Sequence, residues 1–119
     1  DAGHGHWLLT REGADAETPA YTGCLVVGID PNHRFVAERI TLAQGERLVL
    51  FSDGVVEQKS PETHEEFGLP RTGQVLRSCS SPSQDVERLV SSVVEYARSE
   101  QLDDDMTIAS IGIACPADE

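Results

Sequence analysis

An unbroken apolar run at residues 48–51, followed at once by Ser52, Asp53 and Gly54, constrains the fold more than any other stretch of this chain. Four consecutive apolar residues are typical of a strand that is covered on both faces. Asp53 would then lie where a core strand emerges, in front of a glycine that allows another group to approach the backbone. A carboxylate at that rigid edge suits a metal ligand or an acid–base group. The plainer interpretation is that Asp53 is a turn former or a helix N-cap.

Length and charge bound the class of protein. The chain has 119 residues, which suits one small domain, and 39% of them are hydrophobic, which is enough for a core. The net charge of −12, from 21 acidic and 9 basic residues, argues against a surface for nucleic acid or anionic membranes. It fits a cation site or a basic partner, although surplus surface acid for solubility is the commoner cause.

The cysteines indicate the cellular compartment. Cys24, Cys79 and Cys115 are widely spaced, odd in number and form no CxxC or zinc pattern. A reducing, cytoplasmic location is therefore predicted rather than a disulfide framework. Cys24 lies in an apolar run and is predicted to be a small core residue. The sequence contains no signal peptide and no apolar run of membrane-spanning length.

The first segment combines two histidines with a short strand. Residues 7–10 predict the strand, and the polar residues 11–15 predict a turn after it. His4 and His6 are two positions apart, so they would point to the same side of an extended chain and could share a metal. No third ligand is present in the same segment, which weakens that interpretation.

The next stretch predicts two more strands before the apolar run. Residues 23–29, bounded by glycines, predict a buried strand or a tightly packed crossing of the core. Residues 30–33 carry a turn signal. Residues 34–42 alternate in character and predict a strand with mixed faces. A tight turn at 44–46 would pair it with the core strand as an antiparallel hairpin.

Two helices are predicted in the second half. Pro70 would lie in the first turn of one that runs through residues 75–79. The other would begin with Ser81 as the cap, Pro82 at the first helical position and Gln84 at the third. An apolar stripe would pack it on a sheet, with partner binding as the alternative (Val86, Leu89, Val90, Val93, Val94, Ala97). Polar residues would cover its remaining surface (Asp85, Glu87, Arg88, Ser91, Ser92, Glu95, Arg98).

Three consecutive acids, Asp103, Asp104 and Asp105, precede a predicted strand at residues 108–114. Consecutive acids usually form a solvated loop. If this strand lies antiparallel beside the 48–51 strand, however, these acids and Asp53 would converge on one edge of the sheet. Close carboxylates repel one another unless a cation lies between them, so a hard divalent metal such as Mg²⁺ or Mn²⁺ would be the natural occupant.

Four segments, in order, carry a resemblance to a known family. Residues 1–4 (DAGH) resemble the N-A-G-H block of the SpoIIE-type branch of the PP2C (PPM) metal-dependent serine/threonine phosphatases. Residues 45–57 (GERLVLFSDGVVE) resemble its P-G-D-x-L-L-L-Y-T-D-G-V-x-E block. Residues 65–68 (EEFG) match its E-x-F-G, and residues 104–107 (DDMT) match its closing D-D-[IM]-T. Together the blocks extend over nearly the whole chain.

The resemblance implies an α+β fold, namely the PP2C-like αββα sandwich. The family's N-terminal half, whose G-D-x-Y-D and D-x-x-G-H-G blocks supply further metal-ligating acids, has no counterpart in residues 1–119. The chain is therefore interpreted as the C-terminal part of a phosphatase domain, made mainly of antiparallel strands with two helices. A fragment or cleavage product is also suggested by Asp1 in place of an initiator methionine.

Site residues carry over from the matching positions. The resemblance implies that Asp53 and Asp104 ligate catalytic Mn²⁺ or Mg²⁺ in a two-metal site. Gly54 would keep the backbone close to that site, and Asp105 would support it. The acidic loop 60–66 would lie nearby and gate substrates; its plain alternative is a solvated flap without a role. The resemblance does not identify which residues bind the substrate.

The implied activity is hydrolysis of a phosphoserine or phosphothreonine monoester in bacterial signalling, by metal-activated water and without a protein nucleophile. The implied substrate is an anti-sigma factor antagonist of the STAS type, and the implied neighbour is an upstream sensor or receiver domain. The alternative is a phosphatase-like adaptor that has lost catalysis and binds a signalling partner. The isolated chain is expected to be inactive. Its exposed strand edges and uncovered sheet face are expected to make it dimerise, with an exchange of elements as one route.

Overall fold

The computed structural model describes residues 5–18 and 25–114 of the chain. Its elements, in chain order, are β1 (Trp7–Thr10), β2 (Arg47–Phe51), α1 (Asp53–Val56), α2 (Gly68–Arg77), α3 (Pro82–Ala97) and β3 (Ile108–Gly112). The α+β composition agrees with the sequence-based expectation. None of the helices in the described ranges is long and apolar enough to cross a lipid bilayer.

The predicted core strand lies at the centre of a three-stranded antiparallel sheet. β1 pairs with one edge of β2 and β3 with the other, in the order β1-β2-β3. Leu48 of β2 lies between Leu9 of β1 and Ile111 of β3. Val49 is fully buried, as a strand with neighbours on both edges and a covered face requires. The prediction of β2 as the core strand is confirmed.

The core lies between one face of this sheet and the helices. Val49 of β2 packs there with Leu76 of α2 and with Leu89 and Val93 of α3, all of them fully buried. Among the described residues the opposite face is open, since 40% of Leu50 and 53% of Ile111 are exposed to solvent. The prediction that the 48–51 strand is covered on both faces is therefore wrong for this part of the chain. Within the described residues the chain therefore forms one sheet layer and one helical layer.

The predicted hairpin of residues 34–42 with β2 is wrong. Residues 34–42 form no strand, and Phe35 and Val36 are exposed. The physical reason is that β1 and β3 already occupy both edges of β2, so no backbone hydrogen-bonding edge remains for a third strand. The turn at 44–46 is present, with a hydrogen bond from the Glu46 N–H to the Ala43 carbonyl.

The buried strand predicted at residues 23–29 is also wrong where the chain is described. Residues 25–29 form no strand: residues 27–29 form a turn and a bend, and Val27 and Ile29 are about two-thirds exposed. Residues 23 and 24 lie outside the described part. The turn at 30–33 is confirmed, because the Asp30 side chain accepts a hydrogen bond from the Asn32 N–H. An apolar run alone forms neither a strand nor a core without a partner surface.

Both predicted helices are present. Pro70 lies in the first turn of α2, which ends at Arg77, before Cys79. Ser81 caps α3 by accepting a hydrogen bond from the Gln84 N–H, and Pro82 is its first residue. The Gln84 side chain accepts in turn from the N–H of Ser80, one residue earlier than in a standard capping box.

The interpretation of Asp85 as a surface residue is wrong. Its side chain is fully buried and forms two hydrogen bonds with the guanidinium of Arg47, 2.6 and 3.0 Å long. The Ser110 hydroxyl donates to the same carboxylate, and the Cys79 carbonyl accepts from Arg47. Asp85 occupies the same face of α3 as Leu89, four residues on, which the helical spacing could have revealed. This cluster ties α3 to β2 and β3.

Of the three cysteines, Cys79 is the one that lies among the described residues. Cys79 is a free, buried thiol that donates to the carbonyl of Val75. Burial raises the pKa of the Cys79 thiol, and the nearby carboxylate of Asp85 raises it further. Cys24, predicted to be a core residue, and Cys115 lie outside the described residues.

Candidate metal site

The residues after β2 and before β3 lie side by side. Because the two strands are antiparallel and Phe51 pairs with Ile108, the end of one strand lies beside the start of the other. Ser52 continues the pairing: its N–H donates to the Thr107 carbonyl at 2.9 Å, and its hydroxyl accepts from the Thr107 N–H at 2.9 Å. The segment that holds Asp53 and the acidic segment before β3 therefore lie at the same edge of the sheet, as predicted.

Gly54 lies directly against the acidic segment that precedes β3. A β-carbon on Gly54 would be 2.1 Å from the carbonyl oxygen of Asp105 and 3.4 Å from that of Asp104. Only a residue without a side chain permits this contact. The structure thus brings the Asp53-Gly54 and Asp104-Asp105 segments together, backbone to backbone. The Asp104 carboxylate also accepts a hydrogen bond from the Asp105 N–H.

Asp53 is the first residue of α1, and Ser52, rather than Asp53, is the N-cap. Its carboxylate accepts a hydrogen bond from Nδ1 of His6 at 2.7 Å, and 42% of its side chain remains exposed. The imidazole of His6 also stacks on Phe51, with a centroid distance of 5.9 Å and an interplanar angle of 11°. His6 therefore orients Asp53. His4, its predicted partner in metal binding, lies outside the described residues.

Asp103 ties the acidic segment before β3 to Gln58, two residues after the end of α1. Its N–H donates to the side-chain oxygen of Gln58, and the Gln58 amide donates back to the Asp103 carboxylate, both at 3.1 Å. Gln58 is only 4% exposed, so these bonds are largely shielded from water. The sequence placed Asp103 among the acids expected at this edge, but it did not predict the contact with Gln58.

A cleft of about 550 Å³ opens beside this arrangement. Gly54 and Asp104 line it together with Glu57, Lys59, Glu66 and others. Its wall is polar and mostly acidic. The cleft joins the two predicted site segments to the beginning and end of the 60–66 loop.

The 60–66 loop is exposed but anchored to the helices. The carbonyl oxygen of Glu65 accepts hydrogen bonds from the Ser60 N–H and from the Tyr96 hydroxyl of α3, both 2.9 Å long. Arg71 of α2 pairs with the Glu65 carboxylate and lies over the Tyr96 ring, 4.9 Å from its centroid. The loop position is thus set by contacts with α2 and α3.

The donor atoms at this edge fit part of a site for a hard divalent cation. Asp53 and Asp104 provide carboxylate oxygens, and Mg²⁺ is commonly held by one or two carboxylates while water and phosphate complete its shell. Gly54 leaves the backbone in close contact where a larger residue would force it apart. Among residues 5–18 and 25–114, no three ligand-type side chains are grouped to hold a metal ion by themselves.

The comparison with protein families identifies the family of this chain. The family model described as Stage II sporulation protein E (SpoIIE) matches residues 1–113. The chain belongs to the SpoIIE family. The match includes all four sequence blocks, so the resemblance noted from the sequence is confirmed.

The comparison with solved structures identifies the fold of this SpoIIE-family chain. It is similar to the SiaA-PP2C domain of Pseudomonas aeruginosa, with a TM-score of 0.66 and 22% sequence identity over 91% of this chain. The fold is thus PP2C-like, as expected. This chain spans 42% of that domain's chain. No curated protein matches significantly.

Proposed function

We propose that this SpoIIE-family chain is the C-terminal part of a metal-dependent protein phosphatase domain that hydrolyses phosphoserine or phosphothreonine. The observation that carries the proposal is the backbone contact of Gly54 with Asp104 and Asp105, which joins the two family blocks holding the expected ligands. The family match and the PP2C-like fold support it. The remaining metal ligands would come from a part of the domain outside these residues.

Asp53 and Asp104 would hold Mn²⁺ or Mg²⁺, and Asp105 would support the position of Asp104. When bound, such ions supply charge neutralisation for phosphate oxygens and a water of lowered pKa. His6 would keep the Asp53 carboxylate oriented through its 2.7 Å hydrogen bond. Ser52 and Thr107 would keep both segments in register through their paired hydrogen bonds.

The proposed substrate is a phosphoprotein of bacterial signalling, an anti-sigma factor antagonist of the STAS type, acted on in the cytoplasm. An upstream sensor or receiver domain would control the reaction. This assignment of the substrate and of the upstream domain follows from the family, and it is the most specific part of the proposal. The 60–66 loop, at the edge of the cleft, would gate access of that substrate.

The test measures phosphate release by the natural full-length protein from a phosphoserine protein or peptide. Release is expected only with Mn²⁺ or Mg²⁺, and Asp53→Asn and Asp104→Asn are each expected to abolish it. Asp15→Asn is the matched control, because Asp15 is 86% exposed in a surface pair with Arg77. Activity that persists in EDTA or in Asp53→Asn would refute the metal-dependent mechanism.

The alternative function is a phosphatase-like adaptor without catalysis. Retention of both Asp53 and Asp104 favours the enzyme, because an adaptor has no need of these carboxylates. The family's G-D-x-Y-D block in the natural full-length sequence discriminates the two: an intact block supports the enzyme and a degraded one the adaptor. Binding of a partner by a protein that shows no turnover with either metal would favour the adaptor.

The isolated 119-residue chain is proposed to be inactive and homodimeric. On the open sheet face, 40% of Leu50 and 53% of Ile111 are exposed to solvent. Contiguous apolar surface of this kind favours association. Light scattering at high concentration tests the dimer, and calorimetric titration with Mn²⁺ tests the weak metal binding expected of a partial site. A monomer would contradict the first expectation, and tight binding would contradict the second.

A further inference from the structure

We propose that Lys59 binds the phosphoryl group of the substrate at the wall of the acidic cleft. This inference rests on the proposed phosphatase function and assigns that site a substrate-binding residue. Lys59 is the sole lysine of the sequence, and it lines the cleft together with Gly54 and Asp104. The cleft volume of about 550 Å³ is in the range of small-ligand sites.

The backbone of Lys59 is held on both sides. Its neighbour Gln58 is locked to Asp103 by two hydrogen bonds, and the N–H of Lys59 itself points to the Asp103 carboxylate at 3.5 Å. On the other side Lys59 forms an antiparallel bridge with Glu66 at the end of the 60–66 loop. The lysine therefore has a fixed base, while its side chain is exposed and free to reach a ligand.

Within residues 5–18 and 25–114, no carboxylate forms an ion pair with the Lys59 ammonium. The ion pairs formed between described residues involve His6 and four arginines, and none involves Lys59. This holds even though four acidic residues share the cleft lining (Glu57, Glu66, Asp103, Asp104). A lysine serving only to neutralise these carboxylates would be expected to pair with one of them.

The chemistry of the substrate explains why a cation is needed there. A phosphoserine monoester carries about −1.5 to −2 charges at neutral pH. The four acidic side chains and a net charge of −12 repel such a dianion. Cations held by Asp104, which lines the cleft, and by Asp53, next to the lining residue Gly54, would attract it, and the Lys59 ammonium would do so from the wall. A lysine ammonium is a compact point charge that suits phosphate oxygens.

The experiment uses the natural full-length protein and compares Lys59→Gln with Lys59→Arg. Lys59→Gln is expected to raise the KM for a phosphoserine peptide about tenfold, the loss typical of one charge-assisted hydrogen bond, while kcat changes little. Lys59→Arg, which keeps the charge, is expected to restore most of the affinity. Arg11→Gln, the same loss of charge at an exposed residue that does not line the cleft, is the matched control.

Two further readouts identify the group that Lys59 contacts. In Lys59→Gln, the inhibition constant of inorganic phosphate and the KM for para-nitrophenyl phosphate should both rise by the same factor. Binding of inorganic phosphate, followed by calorimetry with Mg²⁺ present, should weaken in parallel without any turnover. Higher salt should reduce the difference between the variant and the parent, because exposed charges are screened.

The outcomes separate this inference from the function on which it rests. If the parent protein releases no phosphate, the proposed function fails. If the parent is active and Lys59→Gln leaves KM and phosphate binding unchanged, Lys59 has no part in substrate binding. A KM increase for the peptide but not for para-nitrophenyl phosphate or inorganic phosphate would mean that Lys59 contacts the polypeptide, and it would overturn the assignment to the phosphoryl group.

Discussion

The carbonyl oxygen of Asp105 lies 2.1 Å from the position that a β-carbon would occupy on Gly54. Since a real side chain cannot approach a backbone oxygen so closely, the two segments of the site can meet only if residue 54 is glycine. The contact belongs to tertiary structure, because the two residues are brought together by the pairing of β2 with β3. A substitution of Gly54 therefore tests the site geometry directly.

Gly54→Ala is expected to separate the two segments, lowering the free energy of unfolding by about 1–3 kcal/mol, as overpacking typically does. Phosphate release by the full-length protein should fall strongly. The control is Gly73→Ala in α2, where a β-carbon meets only an ordinary contact at 3.6 Å. That change should stabilise the helix by about 0.5–1 kcal/mol. Urea denaturation and phosphate assays measure both, and equal effects of the two substitutions would contradict the steric argument.

Asp85→Ala is expected to destabilise the protein by about 3–5 kcal/mol, because it leaves the Arg47 guanidinium buried without its partner. Replacing both residues with apolar ones should recover much of that loss. The exposed pair of Arg77 with Asp15 is the control, since Asp15→Ala should cost no more than about 1 kcal/mol. Urea denaturation of the three variants distinguishes the buried from the exposed pair.

Tyr96→Phe removes the hydroxyl that donates to the Glu65 carbonyl. The expected result is a loss of about 0.5–1.5 kcal/mol and faster amide hydrogen exchange in the 60–66 loop. Arg98→Gln, which breaks the exposed pair with Glu62, should have a smaller effect on both quantities. If the loop gates the cleft, Tyr96→Phe should also change the KM for a phosphopeptide more than that for para-nitrophenyl phosphate.

The Cys79 thiol is expected to resist alkylation in the folded protein. Burial and the Asp85 carboxylate raise its pKa, so little reactive thiolate is present at neutral pH. Iodoacetamide labelling, read by peptide mass spectrometry, should be slow until denaturant is added. Rapid labelling of Cys79 under native conditions would show that the α2–α3 junction opens readily.

The same pKa shift predicts how stability depends on alkaline pH. The folded state holds the thiol proton more tightly than the unfolded state, so the stabilisation is complete below the ordinary thiol pKa. It is lost as pH rises through the raised value. The free energy of unfolding should therefore fall in the alkaline range, and less so in Cys79→Ala.

Strong local signals in the sequence predicted much of the fold. The run at 48–51 predicted β2, and the Ser81-Pro82 start predicted α3, because capping and the apolar period depend on residues close in sequence. The polar breaks after β2 and before β3 predicted that Asp53 and Asp104 would be at the same edge. The two segments do meet there, although metal binding by these carboxylates stays a proposal.

Other features depended on contacts between distant residues. The alternating stretch 34–42 has a strand-like pattern, yet β1 and β3 fill both edges of β2. No local signal reveals which segment pairs with an edge of β2. The Arg47–Asp85 pair is separated by 38 residues, so each residue separately looked like surface or strand terminus. The contact of His6 with Asp53 was not predicted, because the sequence indicated His4, two residues away, as the partner of His6.

Thus the sequence by itself determined the core strand, the amphipathic helix, the SpoIIE-type blocks and the acidic residues placed at strand ends. Tertiary structure alone decided the neighbours of β2, the burial of Asp85, the orientation of Asp53 by His6 and the position of Lys59 in the cleft. The physical reason is that capping and periodicity act over a few residues. Strand pairing, burial and side-chain contacts depend instead on which distant surfaces compete for the same partner.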